Sequence, residues 1–161
     1  MQIAISMRLV LLLALLLPQP ARANPVDNIP MYAISLVGSP YRLGGTSPQT
    51  GVDCSGFVGH VYKTVAGIQL PRDSLMISES AQALAQDALL PGDLVFFNTL
   101  DRPFSHVGIY LGDGRFVHAS SSRSGRVMIS RLEDAYWRER FDGARRIPSS
   151  ITIQTARVEL E

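Results

Sequence analysis

The sequence predicts an α+β fold in which helices come first and a mostly antiparallel sheet follows. Phe57, Val58, Val61, Tyr62 and Val65 recur at helical spacing in the first half of the chain. In the second half, Val107, Ile109 and Leu111 alternate with His106, Gly108 and Tyr110, the pattern of a half-buried strand. Helices followed by strands, rather than the two interleaved, is the order of segregated α+β domains. At 161 residues, with no internal repeat or heptad run, the chain suits one domain with a single core.

Residues 1–23 read as a secretory signal. Arg8 supplies a positive start, Leu9 to Leu17 form an apolar run too short to span a bilayer comfortably, and Ala21-Arg22-Ala23 gives a cleavage pattern. Cleavage is expected after Ala23, with an uncleaved anchor as the competing reading. No cysteine stands at the expected mature N-terminus, so no lipid anchor is expected, and the mature chain should lie in the periplasm or the medium. Loss of Arg8 and Arg22 leaves 13 basic against 14 acidic side chains. This near-neutral balance carries no footprint for nucleic acid and no polybasic membrane patch.

A first helix is expected from about Asn28 to Val37, ending at Gly38, followed by a turn-rich loop through Gly51. The apolar stripe from Phe57 then makes a helix with Asp53 as N-cap and Gly67 as C-cap. A third helix is expected from Asp73 to about Gln86. Strands follow at Asp93 to Phe97, His106 to Leu111, Arg115 to Ser120, Val127 to Ser130 and Ala144 to Ile147, with a short helix near Leu132 to Arg140. The stretch from Pro148 onward is a tail or an extra edge strand over Ile151 to Ile153. The domain therefore runs over 24–147.

Cys54 is the only cysteine, so no internal disulfide exists, and a lone thiol exported into an oxidising compartment needs a reason such as catalysis. Its place in the first helical turn, where free N–H groups favour negative charge, suits a nucleophile; the plain alternative is a small buried hydrophobe. Two of the three histidines meet if Gly112-Asp113-Gly114 is a three-residue loop with Gly114 left-handed. Leu111 then faces Arg115 and His118 faces Gly108, so His106 and His118 share one face as diagonal neighbours roughly 7–8 Å apart. Val107, Ile109, Leu111, Val117 and Ala119 fall on the other, the core face. A two-residue loop would separate the histidines, because a slip of one residue flips every side chain.

Cys54 is thus the candidate nucleophile, His106 the base and His118 the group that orients it. The Cys54 N–H and the Tyr41 hydroxyl are candidate oxyanion donors. His60, six residues beyond Cys54, falls on the far side of the helix and is read as a solvated or partly packed side chain. A zinc site built from the cysteine and two histidines is the competing chemistry. No C-x-x-C or H-E-x-x-H spacing supports it, and no metal or cofactor is expected.

Tyr41-Arg-Leu-Gly-Gly, Asp53-Cys-Ser-Gly-Phe, Leu70-Pro-Arg, Pro91-Gly-Asp-Leu-Val-Phe-Phe, Ser105-His-Val-Gly-Ile-Tyr and Phe116-Val-His-Ala-Ser follow one another along the chain. In these motifs the chain resembles the NlpC-type cysteine peptidases, papain-like enzymes that cut peptidoglycan stem peptides. The resemblance covers about residues 28 to 147. It implies a nucleophile helix packed on an antiparallel sheet that carries both histidines, and cleavage between γ-D-glutamate and the diamino acid at position three. By motif position it puts Cys54, His106 and His118 in the catalytic places and Tyr41 near the oxyanion. It also implies that Asp53, Ser55 and Ser105 line the cleft, where they read equally as helix cap, first-turn residue and strand-end loop. The chain departs from many relatives at Leu75-Met-Ile-Ser, where they carry a glutamine, and in lacking room for a wall-binding module. Peptidoglycan stem peptides are the expected partner, with targeting left to the domain, a further partner or confinement near the wall. The competing functions are acyl transfer or amide hydrolysis on another substrate, and wall binding without catalysis.

Overall fold

The computed structural model describes residues 28–121 and 124–148; the expected signal segment and the tail beyond Pro148 lie outside the described residues. Helix α1 (Ile29–Ser35) starts with Pro30 in its first turn, where the missing N–H is no loss. A two-stranded ribbon, β1 (Thr46–Ser47) and β2 (Gly51–Val52), leads into α2 (Cys54–Ala66). Both expected caps of α2 are present. Asp53 accepts the Gly56 N–H, and Gly67 closes the helix in the left-handed conformation at φ 70°.

The third helix is shorter than expected. α3 (Ser74–Glu79) is capped by Asp73 but stops at Ser80, and Gln82–Leu84 form strand β3, followed by a 3₁₀ turn at Gln86–Ala88. The Ala- and Gln-rich stretch has helical propensity, but its backbone pairs instead with Ala144, Arg145 and Arg146. Long-range pairing thus overrides a local preference. The remaining elements are β4 (Leu94–Phe97), β5 (His106–Gly112), β6 (Arg115–Ala119), β7 (Val127–Arg131), α4 (Ala135–Arg140) and β8 (Phe141–Arg146). The last helix starts three residues later than expected. The last strand starts three residues earlier, directly on the end of α4.

The sheet has the order β3-β8-β4-β5-β6-β7, every pair antiparallel. All four residues of β4 are buried because both faces of the sheet are covered. On one face Leu94, Phe96, Val107, Ile109, Val117 and Ala119 pack against Ile29 and Ala33 of α1 and Phe57, Val58, Val61 and Tyr62 of α2. On the other, Val95, Phe97 and Phe116 pack against Trp137, Phe141 and Leu132. Asp93, buried just before β4, takes two bonds from Arg146 at 2.8 and 2.7 Å and joins that strand to β8.

The β5–β6 hairpin keeps the expected register by a different device. Asp113 and Gly114 both have positive φ (51° and 70°), as a two-residue type I′ turn requires. A bulge between Tyr110 and Gly112 then adds one residue, so that Ile109 faces Val117 and Tyr110 faces Phe116. The turn is two residues long, yet the bulge restores the parity that a three-residue loop would give, and His106 and His118 share a face.

Two glycines set how closely the loop before α2 approaches the helix start. A Cβ on Gly45 would sit 2.1 Å from the Gly51 carbonyl oxygen, and one on Gly56 would sit 2.0 Å from the Gly45 carbonyl oxygen. Both atoms met are backbone and cannot move aside cheaply. Gly56→Ala is therefore expected to lower stability by about 1–3 kcal/mol or more in urea denaturation; an unchanged midpoint would contradict this packing.

Candidate active site

Helix α2 covers the sheet face opposite the histidines, but its first residue comes up to the start of β5. The backbone N–H groups of Val107, of Ser55 and of Cys54 itself lie near enough to the Cys54 sulfur to favour its charged form. Those of Cys54 and Ser55 belong to the helix start, which leaves its first N–H groups without intrahelical partners, and Asp53 takes the Gly56 N–H at 2.8 Å. Burial, with a smaller contribution from the Asp53 charge, pushes the thiol up to about 11; the three N–H groups act the other way. Tyr41 comes to the same corner. Burial, then the nearby Cys54 and Asp53, raises its hydroxyl, and Arg72 opposes them.

His106 is the first residue of β5, one position before Val107. Its Nε2 lies 2.9 Å from His118 Nδ1, and His118 Nε2 lies 3.0 Å from Ser130 Oγ on β7. With Nε2 committed to His118, Nδ1 is the His106 ring nitrogen that His118 does not engage. The expected diagonal pair is therefore in direct hydrogen-bond contact. Trp137 holds both rings: its indole stacks on His106 at 5.5 Å and meets His118 edge-on at 4.8 Å. Phe97 and Phe116 complete the enclosure. Burial pushes His106 down to about 4, and burial with the neighbouring His106 lowers His118 well below the usual imidazole value. Both ring pairs point along a chain, not toward a common centre, and among the described residues no group of three or more His, Cys, Asp or Glu side chains is arranged to hold a metal ion.

Asp53 does more than cap the helix. Its carboxylate also accepts the Gly44 N–H at 2.9 Å and the Arg72 guanidinium at 2.6 Å, with the Ser55 hydroxyl oxygen 3.3 Å away. Burial raises this carboxyl, but Arg72 and the two N–H groups outweigh it and hold the group below the ordinary carboxylate range. Ser55 donates to the Arg72 carbonyl and accepts from its guanidinium, both at 2.7 Å. Ser105 accepts the Thr99 and Leu100 N–H groups at 2.9 and 3.2 Å and so pins the loop before β5. Both serines are buried, and these bonds give their hydroxyls a scaffolding job beside the cleft. His60 stacks on Tyr32, 3.1 Å from its hydroxyl, on the far side of α2.

Three residues of the corner have no role in the sequence reading: Arg72, Ser130 and Trp137. Arg72 lies within a motif, but nothing local shows that it pairs with Asp53. The register pairs His118 with Met128 and Phe116 with Ser130, so Ser130 is the diagonal neighbour of His118 on the same face. Only the β6–β7 pairing reveals that.

Burial disfavours charge on the thiol and on both imidazoles. In the unfolded chain both imidazoles bind protons near pH 6.5, while in the fold they remain bare to lower pH. The unfolded state therefore binds more protons across that interval, and stability falls as pH drops from about 6.5 toward 4. His106 alone contributes about 3 kcal/mol to that fall. Urea denaturation at steps between pH 7 and 4 measures it, and a flat profile would contradict the burial of two neutral histidines.

A model of the NlpC/P60 family matches residues 38–146. The chain is 40% identical over 122 residues to murein DD-endopeptidase MepH of Escherichia coli, covering 73% of this chain and 44% of that protein. It is 43% identical over 118 residues to the gamma-DL-glutamyl hydrolase of Bacillus subtilis, covering 73% of this chain and 28% of that one. The chain thus spans less than half the length of either relative. A crystal structure described as similar to a lipoprotein of the NLP/P60 family, from Staphylococcus aureus, superposes with a TM-score of 0.68 at 32% identity, over 86% of this chain and 48% of that chain. With the sheet, the helix start and the paired histidines in place, the chain belongs to the NlpC/P60 family.

Proposed function

We propose that the chain is an exported cysteine endopeptidase that hydrolyses peptidoglycan stem peptides, cutting between the γ-D-glutamyl residue and the diamino acid that follows. Cell-wall remodelling or turnover is the process it would serve. The observation that carries this reading is the 2.9 Å bond between His106 Nε2 and His118 Nδ1, one residue from Val107, whose backbone N–H favours the charged form of the only thiol. Two relatives support the substrate class: one is named a murein endopeptidase and the other a γ-D,L-glutamyl hydrolase. Their names differ in the bond cut. The name of the E. coli relative favours a second reading, a D,D cross-link, in which the same thiol meets a different carbonyl.

In this reading His106 Nδ1 takes the Cys54 proton as the sulfur attacks the scissile carbonyl. The oxyanion is met by the Cys54 N–H and the Tyr41 hydroxyl. His106 returns the proton to the departing amine, leaving a thioester. It then draws a proton from water as the water attacks, and the thiol is released. His118 keeps the His106 ring in place throughout.

Residues 24–161 and the Cys54→Ala variant, incubated with defined muropeptides and read by mass spectrometry, test the proposal. Fragments split after D-glutamate from the wild type alone are the expected result; products split at the cross-link would favour the second reading, and cutting by the alanine variant would overturn Cys54 as nucleophile. His106→Ala is expected to lower kcat/KM by about 10²–10⁴-fold and His118→Ala by less. The reverse order would exchange their roles.

A further inference from the structure

A histidine in the third place of the relay brings an ambiguity that a carboxylate does not. An ionised Asp can only accept the ring N–H of the base, whereas His118 Nδ1 can either accept or donate. Two arrangements of protons satisfy the chain Ser130 Oγ, His118 Nε2, His118 Nδ1 and His106 Nε2. In the first, His118 carries its proton on Nε2 and gives that bond to Ser130. Its bare Nδ1 accepts from His106 Nε2–H, and His106 Nδ1 is bare. In the second, Ser130 donates to His118 Nε2, His118 Nδ1–H donates to His106 Nε2, and the His106 proton sits on Nδ1. Only the first leaves a nitrogen able to take a proton from the thiol.

The proposed reaction requires the first arrangement, because the thiol proton needs an acceptor and only a bare His106 Nδ1 supplies one. His118 is fully buried and Ser130 nearly so, so water is not at hand to replace the serine as the partner of Nε2. Trp137, Phe97 and Phe116 hem the rings in, so neither can turn over to exchange its nitrogens.

We propose that Ser130 is a fourth member of the relay, a positioning residue that gives the His118 Nε2–H its acceptor in the arrangement the reaction requires. It touches no reacting atom; it supports the ring of His118, which in turn leaves His106 Nδ1 bare. The inference rests on His106 as the base of the proposed reaction.

Nitrogen-15 NMR of the imidazole rings tests it on the full chain, beside Ser130→Ala and Ser130→Thr. The wild type is expected to show protons on Nε2 of both His106 and His118. Ser130→Ala should convert His118 to a mixture of tautomers and lower kcat about 10–100-fold, with KM changed less than twofold. Ser130→Thr, which keeps the hydroxyl, should recover the pure tautomer and most of kcat. A proton on His118 Nδ1 in the wild type, or an unaltered His118 in the alanine variant, would overturn the proposal. Should the alanine variant not fold, the wild-type and threonine spectra decide. A folded wild type that cuts no muropeptide would remove the proposed function, while the tautomer spectra would still decide the role of Ser130.

Discussion

Asp53 ties three separate stretches of chain to one point. Its carboxylate holds the Gly44 N–H from the preceding loop, the Gly56 N–H from the first turn of α2 and the guanidinium of Arg72 from the loop before α3. Its own N–H donates back to the Gly45 carbonyl at 3.1 Å. Each N–H bond to the carboxylate is worth about 1–3 kcal/mol, since the acceptor is charged, and the half-exposed Arg72 pair is worth less. Their joint effect is positional. The start of α2 is fixed against the glycine loop, and the next residue along is the thiol. Gly45 and Gly56 are required for the same reason, because a methyl group at either would push the helix off this anchor.

The sheet between the two clusters separates two tasks. One face receives α1 and α2, and the apolar contacts of Phe57, Val58 and Val61 carry the helix that bears Cys54. The other face is sealed by Trp137, Phe97 and Phe116, which enclose the two histidines. The parts meet at the first residues of β5, where His106 and the Val107 N–H lie side by side. This enclosure has a single electrostatic consequence for both partners. Burial pushes the Cys54 thiol up and the His106 imidazole down, so each favours its uncharged form. In the proposed reaction the charge would form beside backbone N–H groups whose dipoles are already fixed.

Much of this was legible in the chain because it is encoded locally. Asp53 and Gly67 bound α2 through contacts made within a few residues, so cap chemistry places both ends. The hairpin face followed from alternation: burying Val107, Ile109, Val117 and Ala119 leaves His106 and His118 together, although a two-residue turn with a bulge, not the expected three-residue loop, supplies that register. What escaped depends on partners far along the chain. The stretch Gln82–Leu84 becomes a strand only because β8 offers an edge. Which face of the sheet α2 would cover was not visible either, since the second apolar cluster is assembled by Trp137 and Phe141, distant in sequence from the histidines. Arg72 and Ser130 look like ordinary loop and strand residues until the tertiary fold brings them to Asp53 and His118.

The central claim is that Cys54 and His106 form one acid–base pair. Alkylation of Cys54 by iodoacetamide across a pH series, in the wild type and in His106→Gln, addresses it most directly. With a base at hand, the wild-type thiol should be labelled at neutral pH. Without one, labelling of the variant should depend on the buried thiol's own ionisation and rise only at high pH. Superimposable pH profiles for the two proteins would contradict the pairing.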